Sequence, residues 1–145
     1  MDTTYRHTQI SRATLGAVAV GVAAAAAWSV RVANPGPVAM AVPLGGVLAL
    51  FSTLTVAVRD QALYVSFAPG LIRKRIPLRR IRAVRVVRNP WYYGWGIRLT
   101  PVGWLWNVSG LGGVEVQLED GARFRIGSDE PDALATALRG ATQAV

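Results

Sequence analysis

The sequence has no cysteine and only one histidine, which removes most of the side chains used for covalent catalysis and metal binding. Without cysteine there is no disulfide framework, thiol nucleophile or thiolate metal site, and this fits a reducing cytoplasm. His7 has no carboxylate near it in sequence except Asp2, so a surface histidine in an N-terminal tail is expected. The six acidic residues after position 114 lie on a hairpin, at its tip or at the start of a helix, without histidine beside them in sequence. We therefore expect no catalytic residue, no metal site and no cofactor.

Charge is also missing from two long runs near the N-terminus. Residues 13–30 and 32–58 contain no charged side chain, and Arg31 alone separates the two runs. Each run is long enough to cross a hydrocarbon core of about 30 Å as a helix rising about 1.5 Å per residue. Residues 34–37 read Asn-Pro-Gly-Pro, which is turn chemistry. Two antiparallel transmembrane helices are therefore expected.

The two runs differ in composition. The first is rich in small residues, which predicts close helix contact at Ala17 and Gly21. In the second, residues 53–58 alternate polar and apolar side chains and are rich in β-branched residues, which is the pattern of a strand. The second helix is therefore expected to end near Phe51 or Ser52, so that the membrane hairpin occupies residues 13–52. A helix over residues 37–52 would span only about 24 Å, which predicts a domain held tightly against the membrane.

Basic residues predict the orientation of the hairpin. Three basic residues and one acidic residue precede position 59, and thirteen and seven follow, so the net charge of +8 divides into +2 and +6. Lysine and arginine accumulate on the cytoplasmic flanks of membrane helices. Both termini are therefore expected in the cytoplasm, with residues 1–12 as a tail. The Ala-, Val- and Arg-rich composition suits a GC-rich bacterial genome, and the bacterial inner membrane is the expected location. A signal peptide cleaved after residues 27–29 is the alternative, and the second run would then still anchor the chain.

The remainder of the chain reads as short strands followed by one helix. Strands are expected at 53–58, 63–67, 72–76, 82–87, 96–100, 114–118 and 123–126. Asp120 and Gly121 predict a tight turn before the last strand. In the final helix Asp129 is the expected cap and Pro131 fits the first turn. Its apolar stripe consists of Leu134, Ala137, Leu138 and Ala141. The expected fold class is a membrane α-helical hairpin plus an α+β domain, residues 53–145, with a curved antiparallel sheet.

This order of segments supports a resemblance. The segments follow one another in this order: two spans, a strand at 63–65, the arginine-rich segment 75–84, the Gly-Trp-Gly patch at 94–98, the hairpin at 114–121 and a capped last helix. The chain resembles small bacterial membrane-anchored proteins with a pleckstrin-homology-like domain, over residues 53–142. The resemblance implies a strongly bent antiparallel sheet, closed at its open end by the C-terminal helix, and no known catalytic residues. Lipid, peptide and protein binding all occur on such a fold, so the fold does not choose between them.

The densest positive charge follows the second run and forms a candidate site for phosphate or lipid headgroups. The candidates are Arg73, Lys74, Arg75, Arg79, Arg80 and Arg82. Because alternate residues of a strand face opposite sides, they are not all expected on one surface. A solvated basic face that only sets membrane topology is the alternative. Nucleic acid is an unlikely partner, because the aromatic-studded basic groove of a single-strand binder is not evident.

Aromatic residues are concentrated in the glycine- and proline-containing stretch between strands at 91–106. If exposed, they would form an interfacial belt or a partner-binding patch. The candidates for such a patch are Trp91, Tyr92, Tyr93, Trp104 and Trp106. Packing into the core of a small sheet is the alternative.

The preferred functional prediction is a non-enzymatic integral membrane protein whose cytoplasmic domain holds a protein partner or a second copy of itself. The alternative is a module that binds anionic phospholipid headgroups through the arginine cluster. A membrane enzyme is the weakest of the three.

Overall fold

The computed structural model describes the backbone of residues 3–145 and the side chains from residue 5 onward. The elements, in chain order, are β1 (Thr3–Ile10), α1 (Arg12–Arg31), α2 (Gly36–Leu50), β2 (Thr53–Arg59), β3 (Ala62–Phe67), β4 (Ile72–Pro77), β5 (Ile81–Arg88), β6 (Gly96–Thr100), β7 (Gly103–Asn107), β8 (Gly112–Leu118), β9 (Arg123–Gly127) and α3 (Pro131–Gln143). Short 3-10 turns precede β5 and β6. The α+β class and the C-terminal helix are confirmed, and α2 gives way to β2 where the alternating pattern predicted.

Helices α1 and α2 pack against each other as an antiparallel pair. The Ser29 hydroxyl accepts a hydrogen bond from the Val38 amide at 3.1 Å, near the turn. Further along, a Cβ on Gly45 would lie 3.0 Å from Val18 Cγ1 and 3.2 Å from Val22 Cγ2, so this glycine permits the close approach. The predicted contact at Ala17 and Gly21 is wrong, because both are exposed. One position along a helix turns the side chain by about 100°, away from α2.

Many apolar side chains of the two helices are not covered by protein. Val20, Val30 and Met40 are exposed, and α1 is 20 residues long and contains an 18-residue window with a mean hydropathy of 1.8. By length and composition α1 could cross a membrane, and within residues 3–145 it is the one helix that passes this test. Helix α2 has 15 residues, about 22 Å of helix, and contains Pro43. The membrane hairpin therefore stays a prediction.

Sheet 1 is antiparallel, with the strand order β1-β2-β3-β4. The predicted N-terminal tail is wrong for residues 3–10, which form β1, while residues 1 and 2 lie outside the described residues. Because α1 and α2 form a hairpin, the end of β1 and the start of β2 emerge side by side, and the Ser11 amide donates to the Ser52 carbonyl at 2.8 Å. The two strands then pair from Ile10 and Thr53 outward. The helical hairpin is thus an insertion between paired strands.

Sheet 2 has the strand order β5-β8-β9-β7-β6 and contains one parallel pair, β7 with β9. The prediction of one antiparallel sheet is therefore wrong. Strand β7 lies in the glycine- and proline-containing stretch in which no strand was predicted after residue 100. It forms because it can pair with β6 on one side and β9 on the other, a partnership that only the folded chain provides.

The core lies between the inner faces of the two sheets. The Trp106 ring packs edge-on against Phe67 and Phe124, with centroids 5.9 and 5.6 Å apart. Helix α3 closes one side with Leu134 and Leu138, both fully buried and both on the predicted stripe. Aromatic rings at these separations contribute about 0.5–1.5 kcal/mol beyond their buried area.

Two details of the start of α3 differ from the prediction. Glu130, not Asp129, occupies the N-cap position, and it makes no capping bond through its side chain. The Asp129 carboxylate instead accepts a hydrogen bond from His7 Nε2 at 2.7 Å. The predicted cap is wrong because the helix begins at Pro131, which makes Glu130 the N-cap, while β1, absent from the predicted fold, brings a donor to the Asp129 carboxylate.

One end of the β domain carries the helical hairpin, and we call it the hairpin end. Ser11 alone separates β1 from α1, and Phe51 and Ser52 alone separate α2 from β2. The loop between β7 and β8 reaches the same end, because Gln9 Nε2 donates to Ser109 Oγ at 2.8 Å. Phe51 also approaches Phe67 of the core, with ring centroids 6.1 Å apart. The helices are therefore joined to sheet 1 without a linker, and a loop of sheet 2 contacts β1 at the same end.

Candidate anion-binding groove

A groove of about 690 Å³ lies on the outer face of sheet 1. Strand alternation creates it, because Leu54, Val56 and Val58 of β2 face the core and the residues between them face outward. All four strands contribute to the lining. The polar and charged lining residues are Arg6, Thr8, Thr53, Thr55, Arg59, Tyr64, Ser66, Arg73, Lys74 and Arg75.

Strand register arranges the lining in two rows across the sheet. The row nearer the hairpin end runs Thr8, Thr55, Ser66 and Arg73. The next row runs Arg6, Ala57, Tyr64 and Arg75. Each row therefore ends in an arginine from β4, and the second row begins with another from β1. Hydroxyl groups occupy the middle of the first row, where Thr8 Oγ1 and Thr55 Oγ1 lie 3.0 Å apart.

The groove carries charge of one sign. Five lining residues are basic, and none of the described residues that line it is acidic. This follows from the sequence, since residues 61–114 contain nine basic residues and no acidic one. Asp60 approaches Arg59, but the atoms are 4.0 Å apart and both side chains are exposed. Concave surfaces lined by one sign of charge concentrate counter-ions, so the groove favours an anionic ligand.

Local contacts hold the β4 arginines in place. Arg73 Nε donates to the Gly70 carbonyl at 2.6 Å, and Arg75 Nε donates to the Tyr64 hydroxyl at 3.1 Å. The Arg59 and Arg75 guanidinium carbons lie 4.9 and 5.9 Å from the centre of the Tyr64 ring. Both hydrogen bonds are donated by Nε. The terminal nitrogens of Arg73 and Arg75 have no acceptor among the described residues. They remain free to bind an anion.

Glycine is required at the turn that orients Arg73. Gly70 has a φ of 85°, and a Cβ there would lie 2.9 Å from Arg73 Nη2. A side chain at this position would therefore push the guanidinium away from the groove.

The six predicted basic candidates do not form one site. Arg73 and Arg75 lie in the groove. Lys74 contributes to its wall, but its Nζ lies 4.6 Å from the centre of the Phe124 ring. The other three lie elsewhere. Arg79 lines a separate cavity of about 260 Å³ beside Asp60, Arg80 approaches Asp120 at 3.3 Å, and Arg82 is exposed on β5.

Two basic residues of the groove, Arg6 and Arg59, were missed in the sequence analysis. Arg6 was assigned to a tail, and Arg59 was treated only as the end of the second apolar run. The signal that could have found them is the two-residue period of β2 continued to Arg59, together with a strand pattern in residues 3–10.

The five predicted aromatic candidates also divide. Trp106 is buried in the core, and Trp104 is 46% exposed at the end of β7 away from the hairpin. Trp91 and Tyr92 are exposed, and Tyr93 stacks edge-on against Tyr92 with centroids 5.2 Å apart. Trp106 therefore packs in the core, as the alternative predicted, whereas Trp91 and Tyr92 in the connection between β5 and β6 are exposed.

His7 lies in a polar contact between β1 and the start of α3. Its Nε2 lies 2.7 Å from Asp129 Oδ1, and its Nδ1 lies 3.5 Å from Glu130 Oε2. The prediction of a tail histidine with no acidic neighbour beyond Asp2 is wrong. Burial, and then the charges of Glu130 and Asp129, raise the pKa of Tyr5 above its ordinary value. In the part of the chain that the structure describes, no three His, Cys, Asp or Glu side chains are grouped as a metal site would need.

Comparison with known proteins adds no assignment to this geometry. No family model, no curated protein and no solved structure matches the chain. The pleckstrin-homology-like resemblance therefore stays a prediction, and the basis for a functional proposal is the groove itself.

Proposed function

We propose that the chain is a non-enzymatic membrane protein with two spans, whose cytoplasmic β domain binds the anionic headgroups of phospholipids in the sheet 1 groove. The observation that supports this most directly is the groove, which begins at the hairpin end and whose described lining has five basic residues and no acidic one. The bacterial inner membrane, with both termini in the cytoplasm, is the location we propose.

The chemistry of the lining suits a phosphate group. Guanidinium presents N–H donors in a planar fork that matches two phosphate oxygens, and hydroxyl groups supply further donors. Arg73 and Arg75 supply the forks, and Thr55 and Ser66 supply hydroxyls between them and β1. A volume of about 690 Å³ lies within the range of sites that enclose small ligands, roughly 300–1,000 Å³.

The position of the groove favours a lipid over a soluble phosphate compound. Thr53 follows the end of α2 after two residues, and the row containing Arg73 crosses β2 at Thr55. A strand rises about 3.3 Å per residue, so this row lies about 7 Å beyond Thr53. Each headgroup layer of a bilayer is about 5–7 Å thick. Arg73 is therefore close to the depth at which lipid phosphates lie, with Arg75 one row further out.

Lipid binding by the full-length chain in detergent tests this proposal. Native mass spectrometry would count bound short-chain phosphatidylglycerol and, in parallel, phosphatidylcholine. The test variant is Arg73→Gln with Arg75→Gln, and the matched control is Arg82→Gln with Arg123→Gln, which removes the same charge from exposed positions of sheet 2.

We expect phosphatidylglycerol to bind in preference to phosphatidylcholine, and the groove variant to lose most of this preference. Each basic side chain contributes about 1 kcal/mol toward an anionic lipid surface, so two of them correspond to roughly a 30-fold weaker affinity. The control variant should bind as the parent does. Equal losses in both variants would mean that net charge, and not the groove, attracts lipid. Inorganic phosphate competing fully with the lipid would point to a soluble ligand.

The module for a protein partner or second copy, preferred from sequence alone, stays a prediction. It is the interpretation that would remain if the groove variant bound anionic lipid unchanged.

A further inference from the structure

A second surface at the hairpin end is apolar and aromatic. The connection between β5 and β6, residues 89–95, contains three exposed aromatic residues, and we call it the aromatic strap. They are Trp91, Tyr92 and Trp95, and Trp91 is the most exposed at 80%. Leu71, in the turn between β3 and β4, is 73% exposed. Large apolar side chains this exposed on a small domain mark a surface that something else covers.

The fold places the aromatic strap at the hairpin end. Strand β5 and strand β6 are the two edges of sheet 2, and the register of the sheet puts the end of β5 and the start of β6 at the same end. The strap must therefore pass the ends of β8, β9 and β7 to join them. The backbone amide of Asn89 donates to the Leu111 carbonyl at 2.6 Å, and Arg125 Nη1 donates to the side-chain Oδ1 of Asn89 at 3.1 Å. The loop that contains Leu111 is itself bound to β1 through Ser109 and Gln9.

Leu71 reaches the same end of the domain. The amide of Leu71 donates to the Ala68 carbonyl at 2.7 Å, and the amide of Ala68 donates to the Thr53 carbonyl at 3.2 Å. Thr53 is the first residue of β2 after the helical hairpin. Leu71 and the strap therefore lie on the side of the domain from which the helices leave.

The composition of the strap indicates what covers it. Tryptophan and tyrosine are enriched where membrane meets water, because an apolar ring carries a polar N–H or O–H. No acidic residue lies in the strap, and Arg88 and Arg98 flank it. Such a surface suits the boundary between acyl chains and anionic headgroups.

We infer that the aromatic strap and Leu71 lie in the interfacial layer of the bilayer leaflet from which β1 and β2 emerge. The domain is then held to the membrane at three places: the helix ends, the strap and the β3–β4 turn. This inference rests on the proposed transmembrane placement of the hairpin, but not on lipid binding in the groove. In this arrangement the strap and Leu71 anchor the domain together with the short helix α2. They also fix the tilt of the domain, so that the groove faces the lipid surface at one angle.

The absence of cysteine makes the test direct, because one introduced cysteine is the only labelling site. Three variants of the full chain, Trp91→Cys, Leu71→Cys and Trp104→Cys, would each receive a nitroxide label. All three positions are partly or largely exposed, so the fold should tolerate the change. Each variant would be reconstituted in phosphatidylcholine vesicles without anionic lipid, which leaves binding in the groove out of the experiment.

We expect the labels at 91 and 71 to collide with lipid-dissolved oxygen and to lose collisions with an aqueous nickel complex. The label at 104, at the other end of β7, should show the reverse. Equal access of the nickel complex to 91 and 104 would overturn the inference. Dipolar broadening at 91 without access to oxygen would also overturn it, by placing the strap in a contact between two copies.

A chain that does not float with the vesicles would overturn the transmembrane hairpin and the strap inference together. If the strap labels report lipid while anionic lipid fails to bind the groove, the strap inference stands and the groove proposal falls.

Discussion

The buried ion pair that supports the aromatic strap should make a large contribution to stability. Arg125 Nε donates to Glu115 Oε2 at 2.8 Å, and the two side chains are only 13% and 8% exposed. Arg125 also donates to Asn89 at the start of the strap. Removing one partner of a buried pair leaves an uncompensated charge and costs about 3–5 kcal/mol. Arg125→Met should therefore lower the free energy of unfolding by about that amount.

The exposed pair of Arg80 and Asp120 provides the matched control. Its atoms are 3.3 Å apart, but the side chains are 48% and 56% exposed. Exposed pairs contribute about 0.2–1 kcal/mol, so Arg80→Met should cost no more than that. The comparison separates the effect of burial from the effect of losing an arginine.

A double-mutant cycle identifies the mechanism. Glu115→Leu combined with Arg125→Met replaces both charges with apolar side chains of similar size, and it should recover much of the stability that either single change loses. Recovery should be incomplete, because Asn89 loses its donor. Chemical unfolding in detergent, followed by circular dichroism of the β domain, measures each free energy. A loss below about 1 kcal/mol for Arg125→Met, or additive losses in the double variant, would refute the reasoning.

Two further predictions follow from single contacts. The Tyr5 hydroxyl is buried and has no hydrogen-bond partner among the described residues, so Tyr5→Phe should leave stability at pH 7 unchanged or raise it by about 1 kcal/mol. Burial and then the charges of Glu130 and Asp129 raise the pKa of Tyr5 above its ordinary value of 10.0, so the folded state keeps its full stability below pH 10 and loses stability as the pH rises through the folded pKa of Tyr5. Unfolding curves between pH 8 and pH 12 should show a smaller alkaline loss for Tyr5→Phe, and equal losses would contradict it. Gly45→Leu should force α1 and α2 apart and cost about 1–3 kcal/mol, whereas Gly46→Leu, with nothing within 4 Å of the added Cβ, should have little effect in a thermal melt.

Strands β2, β3, β4, β8 and β9 could be predicted because their patterns are local. Apolar side chains recur at every second position of β2, β3, β8 and β9, and Asp120 with Gly121 marks the turn that joins the last two. Strand β7 could not be predicted in this way. Its five residues include a glycine and two tryptophans, and it is a strand because β6 and β9 lie on either side of it. Pairing between distant segments decides such short strands, and no local pattern records it.

The candidate site could be predicted only in part, because some of its residues follow from a local pattern and others depend on strand pairing. Arg73 and Arg75 could be identified because alternation within β4 puts both on one face. Arg6 could not, because it belongs to the groove only if residues 3–10 pair with β2. The helical hairpin separates these two strands in sequence and also brings them together in space. Because residues 1–12 were assigned to a tail, the predicted site did not include the β1 side of the groove, where Arg6 lies.

The insertion of the hairpin between β1 and β2 has a mechanical consequence. A membrane anchor at one terminus is usually joined to its domain by a single chain, about which the domain can rotate. Here β1 and β2, which are hydrogen-bonded to each other, both connect directly to the helices. One residue separates β1 from α1, and two residues separate α2 from β2. Between these two connections the Ser11 amide donates a hydrogen bond to the Ser52 carbonyl. Rotation about either connection would break the β1–β2 ladder, so the orientation of sheet 1 is coupled to that of the helices. If the hairpin spans the membrane as proposed, the outer face of the sheet, with its arginine rows, is thereby held at a defined distance and angle from the lipid surface. This rigidity is what an anion-binding groove needs in order to distinguish phosphates at one depth from phosphate in solution.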